Sequence, residues 1–144
     1  MPNRLTPRFL MFFAIPLFSV ASSAAATEGC KEFVGWLIYP GNKNSPSLEE
    51  EHCGSHKEWI LKNKAGAVVD QMPVPGLPKG TVFNYGQCRV NGIYRDDIIA
   101  IVAHSARVEW SGKIRKAWLV SPELKIVGAS TAGVECHNEG YGVD

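Results

Sequence analysis

Apolar residues of this chain fall into short runs separated by turn-forming residues, and this pattern predicts a fold made mainly of β-strands. The runs are rich in β-branched and aromatic side chains, which favour strands. They occupy residues 33–39, 59–61, 67–69, 81–85, 98–103, 108–110, 114–120, 125–129 and 133–136. Residues 63–66, between two of these runs, predict a β-hairpin, and Asn91 followed by Gly92 predicts a tight turn.

One segment has the pattern of a helix rather than of a strand. Ser47 is a typical helix cap, an acidic residue follows three positions later at Glu50, and Gly54 is typical of a helix end. Consecutive glutamates at 49–51 also suit the positive end of a helix dipole. We therefore expect one short helix over residues 47–53.

The predicted fold class is α+β, a strand-dominated single domain with an antiparallel meander sheet, one short helix and two disulfides. Short strands joined by tight turns leave no room for the crossover helices that a parallel sheet needs. Three prolines within residues 72–80 exclude a helix or an inner strand there, because proline lacks the backbone donor. We expect this segment to be a stiff loop with polyproline II character.

The first 26 residues have the pattern of a secretory signal peptide. Arg4 and Arg8 precede an apolar stretch, which is followed by small residues that end at Ala26. The apolar stretch is shorter than the roughly 20 residues that a membrane-spanning helix needs. We place the cleavage after Ala26, which leaves a single disulfide-stapled domain over residues 27–144 and predicts a periplasmic or secreted location.

The four cysteines all follow this leader, so they are expected to meet an oxidising compartment. An even number of cysteines in a short secreted chain favours two disulfides, for which three pairings are possible. We favour Cys30–Cys53, which joins the mature N-terminus to the end of the predicted helix. The second pair is then Cys88–Cys136, which joins a central strand to the last strand.

The charge balance disfavours several kinds of partner. The leader holds two of the 15 basic residues and none of the 14 acidic ones, so the mature chain has a formal net charge of −1. A nearly neutral chain without a basic block is not expected to bind nucleic acid or to dock on anionic lipid. We expect a protein partner in the cell envelope, no membrane span after cleavage and no cofactor, and the oligomeric state stays open.

Metal binding is an alternative function, because histidine and cysteine cluster near residue 53. His52, Cys53 and His56, together with His137, offer the nitrogen and sulfur ligands that zinc or copper prefers. However, Gly54 interrupts the predicted helix between the two neighbouring histidines, and cysteines of secreted proteins usually pair with each other. We therefore expect no metal site.

A small secreted hydrolase is a second alternative, with Asp96, Asp97 and His104 as its acid and base groups. Hydrolysis by paired carboxylates needs two acids held across a cleft. Two aspartates before an apolar strand are more typical of a turn, and the chain has no nucleophile motif such as Gly-x-Ser-x-Gly. The sequence leaves catalysis open and favours its absence.

Candidate partner-binding residues come from the proline-rich loop and from one of the four tryptophans. The loop presents Val74, Leu77 and Lys79 on a stiff backbone, which lowers the entropy lost on binding. Trp110 precedes a Ser-Gly turn and is the tryptophan expected to be partly exposed. Exposed aromatic side chains are typical of protein-binding surfaces.

Three C-terminal stretches, residues 96–102, 116–118 and 133–142, resemble a family of small uncharacterised secreted proteins from Gram-negative bacteria. The resemblance implies a periplasmic or secreted location, and it implies no activity or site. Together with the features above, it predicts a small periplasmic or secreted binding or interaction module without catalysis.

Overall fold

The computed structural model describes residues 30–39 and 43–142, and these form twelve strands in three four-stranded antiparallel sheets. The strands are β1 Cys30–Leu37, β2 Ser47–Cys53, β3 His56–Lys62, β4 Val68–Pro73, β5 Thr81–Tyr85, β6 Cys88–Val90, β7 Ile93–Arg95, β8 Ile98–Ala103, β9 Trp110–Ser111, β10 Ile114–Val120, β11 Ile126–Ala129 and β12 Val134–His137. The predicted signal peptide, residues 1–26, lies outside the described residues. Within the described ranges there is no helix long and apolar enough to cross a membrane.

The predicted helix over residues 47–53 is wrong, and so is the fold class α+β, because the described residues are all-β. This segment forms β2, which pairs with β1 on one side and with β3 on the other. Leu48 and Glu50 are buried, and Glu49 and Glu51 point to the opposite face, as the period of a strand requires. Local helix signals are weak, and pairing on both edges overrides them here.

The predicted single meander sheet is also corrected, because the strands divide into three sheets. Sheet A follows chain order as β1-β2-β3-β4, and it contains the predicted hairpin between β3 and β4. Sheet B has the order β11-β10-β8-β5, and sheet C has the order β7-β6-β12-β9. Asn91 and Gly92 form the predicted turn between β6 and β7, with φ values of 51° and 82° that suit a type I′ hairpin.

Sheet B is the middle layer, and its strand β8 is buried on both faces. Residues 98–102 are each at most 3% exposed. Ile99 and Ile101 pack with Trp118 of β10 against Trp59 and other apolar side chains of sheet A. The alternate residues of β8 pack against the inner face of sheet C. Sheets A and C therefore cover the two faces of sheet B.

Both predicted disulfides, Cys30–Cys53 and Cys88–Cys136, are confirmed. Each joins residues that are directly opposite on paired strands, one pair in sheet A and the other in sheet C. Cys53 therefore ends a strand and not the expected helix. The two bonds indicate an oxidising environment outside the cytoplasm.

We predict that the two disulfides differ in their accessibility to a reductant. Cys88 and Cys136 are fully buried between sheets B and C, whereas Cys30 is partly exposed. Because thiol–disulfide exchange requires access to sulfur, a mild thiol reductant without denaturant should release only Cys30 and Cys53 for alkylation. Peptide mapping by mass spectrometry checks this, with reduction in guanidinium as the control that labels all four cysteines. Equal labelling of both pairs in the native protein would contradict the prediction.

Candidate functional site

Sheet C presents a mixed aromatic and charged surface on its outer face. Its inner face carries Cys88, Val134 and Cys136, so strand alternation turns the intervening side chains outward. The register pairs Arg89 with both Tyr94 and Glu135, and it pairs Trp110 with His137. We call this surface the Trp110 face, and its residues are Arg89, Tyr94, Trp110, Glu135 and His137.

Neighbouring side chains hold the indole of Trp110 in place on this surface. The Arg89 guanidinium lies 4.4 Å from the centre of the Trp110 ring, which is the geometry of a cation–π contact. Arg89 Nε also donates to a carboxylate oxygen of Glu135 at 2.7 Å. The His137 ring meets the indole edge-on, with the centroids 5.5 Å apart. The indole of Trp110 is therefore held by contacts with both Arg89 and His137.

A small pocket of about 150 Å³ lies between sheets B and C, at the edge formed by β5. It adjoins the Trp110 face, because His137 contributes to both. We call it the His104 pocket, and it is lined by Val82, Phe83, Asn84, Val102, Ala103, His104, His137, Asn138, Glu139 and Gly140.

Two buried asparagines fix the walls of the His104 pocket. Asn84 donates from Nδ2 to the His137 carbonyl at 2.9 Å, and its Oδ1 accepts from the Gln87 backbone at 3.1 Å. Asn138 donates to the Val108 carbonyl at 3.0 Å, and its Oδ1 accepts from the Gly140 backbone at 3.2 Å. The titratable side chains that remain for the pocket lining are those of His104 and Glu139, because the ring of His137 packs on Trp110.

Gly140 shapes the same pocket by letting an imidazole approach the backbone. A Cβ atom at this position would lie 2.8 Å from Cε1 of His104, which is closer than such contacts occur. The side chain of His104 therefore rests against the glycine, and any larger residue would move it.

The predicted partner-binding residues lie on two different parts of the fold. Val74 is half-buried against the core between sheets A and B, while Leu77 and Lys79 are exposed. The loop leads to the His104 pocket, because the Gly80 carbonyl at its end accepts a hydrogen bond from the His104 backbone at 3.0 Å. Trp110 is partly exposed in sheet C.

The structure does not gather the histidines considered for metal binding. His52 points inward from sheet A, His56 lies on the outer face, and His137 belongs to sheet C, beyond sheet B. Within the described ranges, the side chains close enough to share an ion are Cys30, Cys53 and Glu51. Because these two cysteines form a disulfide, their sulfurs are not thiolate ligands.

The acid and base groups considered for hydrolysis are also apart. Asp96 and Asp97 precede β8, whereas His104 follows it, so the strand separates them by about 20 Å. Both oxygens of Asp97 are bound by Arg95, at 2.7 and 2.5 Å, and Tyr39 donates its hydroxyl to the same carboxylate at 2.9 Å. The Tyr39 backbone donates to Asp96 at 2.9 Å. These aspartates hold the end of β1 against the start of β8.

Asp97 is nearly inaccessible, and its environment changes its acidity. Burial disfavours its charged form, but the hydrogen bonds from Arg95 and Tyr39 and the charge of Arg95 outweigh burial and lower the pKa of Asp97. Burial and the contact with Asp97 raise the pKa of Tyr39. The carboxylate thus stays ionised as a structural anchor.

Sequence reasoning missed a second buried acid, Glu50. It accepts hydrogen bonds from the Tyr85 hydroxyl and, at 2.9 Å, from His52 Nε2, with Lys57 Nζ at 3.8 Å. Burial and the bond to Glu50 raise the pKa of Tyr85 well above its ordinary value. In the sequence, Leu48, Glu50 and His52 stand at every second position, which is the spacing of residues on one face of a strand. The consecutive glutamates at 49–51 were instead interpreted as the start of a helix, so the burial of Glu50 was not predicted.

Comparisons with protein-family models, curated proteins and solved structures found no match.

We predict that Asp97→Asn destabilises the protein by about 2 kcal/mol at neutral pH, because it weakens charge-assisted hydrogen bonds to Arg95. Since the folded-state pKa of Asp97 lies below its ordinary value of 3.8, its contribution is present above that value and is lost as the pH falls through the folded pKa. The stability difference from wild type should therefore shrink on acidification, as urea unfolding at successive pH values would measure.

Asp96→Asn is the matched control for this experiment. Its amide oxygen can still accept the hydrogen bond from the Tyr39 backbone, so its stability should change little at any pH. A constant difference between wild type and Asp97→Asn down to strongly acidic pH would contradict the structural role given to the Asp97 carboxylate.

Proposed function

We propose that this protein is a small non-catalytic interaction module of the periplasm or the secreted compartment, and that it binds another protein through the Trp110 face. The observation that supports this most is the stack of Arg89 on Trp110, which is displayed on the open side of sheet C. The bond from Arg89 to Glu135 and the ring of His137 keep that stack in one geometry.

The composition of the Trp110 face favours a protein partner. Tryptophan, tyrosine and arginine are the residues that dominate binding energy at protein interfaces, and Trp110, Tyr94 and Arg89 lie together here. Tyr94 is 60% exposed, although its hydroxyl donates to the Gly86 carbonyl at 2.7 Å. Side chains that are ordered beforehand lose little entropy on binding.

The proposed location outside the cytoplasm is supported by features at both ends of the sequence. The signal-peptide pattern of residues 1–26 and the C-terminal resemblance to small secreted proteins agree with the two disulfides. We propose that the leader is removed after Ala26 and that the mature chain works outside the cytoplasm.

The absence of catalysis is part of the same proposal. The two buried acids, Asp97 and Glu50, already accept hydrogen bonds from neighbouring side chains of the fold. Their carboxylates therefore serve to hold strands together and are not available as a catalytic pair. His104, the base considered for hydrolysis, lies at the far end of β8 from Asp97.

We predict that a photo-reactive phenylalanine analogue at Tyr94 will cross-link to one envelope protein in the cells that make this chain. The analogue at Phe33 is the matched control, because Phe33 is a similarly exposed aromatic residue, 69% against 60%, on sheet A. Gel analysis and mass spectrometry would show an adduct at Tyr94 that is missing at Phe33.

Replacing Trp110 by alanine in the same background should weaken the interaction about 30-fold and remove the adduct, because truncating such an anchor costs about 2 kcal/mol or more. An unchanged melting temperature would show that the variant is folded. Adducts that persist in Trp110→Ala, or that form equally at Phe33, would refute the proposed binding face.

A further inference from the structure

The His104 pocket combines an apolar floor with a polar rim. Val82 and Val102 supply the apolar lining, and Val82 is 44% exposed although it belongs to a strand of the middle sheet. The polar rim comes from His104 and Glu139. An occupant with an apolar stem and a polar end would match this arrangement.

The size of the pocket limits what it can hold. Sites for drug-sized ligands usually enclose about 300–1,000 Å³, whereas this pocket encloses about 150 Å³. The volume suits one amino-acid side chain better than a cofactor or a metabolite with several rings.

The charge of the lining selects a cation. Glu139 is the carboxylate among the lining residues, and the same lining contains no lysine or arginine. A neutral imidazole can accept a hydrogen bond, so His104 can add one acceptor to that carboxylate. The carboxamides of Asn84 and Asn138 are engaged in wall contacts, which leaves Glu139 and His104 to meet the occupant.

The arrangement of these acceptors favours an ammonium over a guanidinium. His104 follows β8 and Glu139 lies in the segment after β12, so the two acceptors come from different elements of the fold. An ammonium has three donors that can be directed separately, whereas a guanidinium favours one planar, two-pronged acceptor. Lysine also buries its methylene stem along apolar surface while its charged end meets polar groups.

We propose that the His104 pocket binds a lysine side chain of the partner protein, with the methylene stem on Val82 and Val102 and the ammonium at Glu139 and the His104 imidazole. The partner as the source of the lysine rests on the proposed function. His137 connects the two sites, because its ring contacts Trp110 and its backbone carbonyl accepts a hydrogen bond from Asn84 in the pocket wall. A partner that covers Trp110 can thus place a lysine in the pocket.

The test uses small probes and the disulfide-bonded protein, so it does not require the partner. Nα-acetyl-lysine amide is titrated in while NMR follows the imidazole signals of His104. Its matched control is Nα-acetyl-norleucine amide, which keeps an alkyl stem and lacks the ammonium. We expect saturable shifts with a Kd in the millimolar range for the lysine probe, and binding at least about fivefold weaker for the norleucine probe.

Two variants test whether the lysine probe binds to the Glu139 carboxylate itself or is attracted by the overall negative charge of this surface. Glu139→Gln should weaken binding of the lysine probe at least about fivefold, because it removes the charge-assisted hydrogen bond. Glu109→Gln removes the same charge from a nearby exposed residue outside the pocket lining and should leave the affinity unchanged.

Equal binding of both probes, or equal losses in the two variants, would overturn the lysine pocket. Shifts confined to residues outside the lining would overturn it as well. These results leave the cross-linking at Tyr94 unaffected, and a failed cross-link with a positive titration would reject the proposed function while retaining the amine-binding pocket.

Discussion

Burial of β8 on both faces is the constraint on which the rest of this structure depends. A strand with five consecutive residues at most 3% exposed cannot belong to a sheet with one wet face. Its odd and even side chains each need an apolar layer, and sheets A and C supply them. Each covering sheet also has two of its strands joined by a disulfide, β1 to β2 in sheet A and β6 to β12 in sheet C. The described strands of sheet B contain no disulfide and are held by their burial between the other two sheets.

The positions of strands and turns follow from local pattern, and their grouping into sheets does not. Runs such as 98–103 and 114–120 match β8 and β10 closely, because side-chain type and turn residues act over a few positions. Sheets B and C combine strands that are distant in sequence, such as β6 with β12. Only the cysteine pairing indicated that contact in advance.

In the candidate site, too, some features follow from neighbouring residues in the sequence, whereas others depend on contacts between distant segments. The partial exposure of Trp110 was predicted from the adjacent Ser111 and Gly112, which is local information, although Ser111 itself belongs to β9. His104 and His137 were each assigned to a different chemistry, as a catalytic base and as a metal ligand. They line one pocket because the ends of β8 and β12 meet where sheets B and C diverge at β5, and no local pattern specifies that meeting.

The polar groups buried between the layers have several hydrogen-bond or charge partners, whereas those at the rim of the His104 pocket are exposed to water. Glu50 is closed by Tyr85, His52 and Lys57, and it joins sheet A to sheet B. A buried charge needs such partners, since removing them leaves an uncompensated cost.

Glu139 and the imidazole of His104 are exposed at the rim of the His104 pocket, so water can solvate them and they do not need such partners. The asparagines beneath them take over the structural hydrogen bonds of the pocket walls. The polar groups that hold the layers together, such as Glu50 and Asp97, are therefore distinct from those at the rim of the pocket.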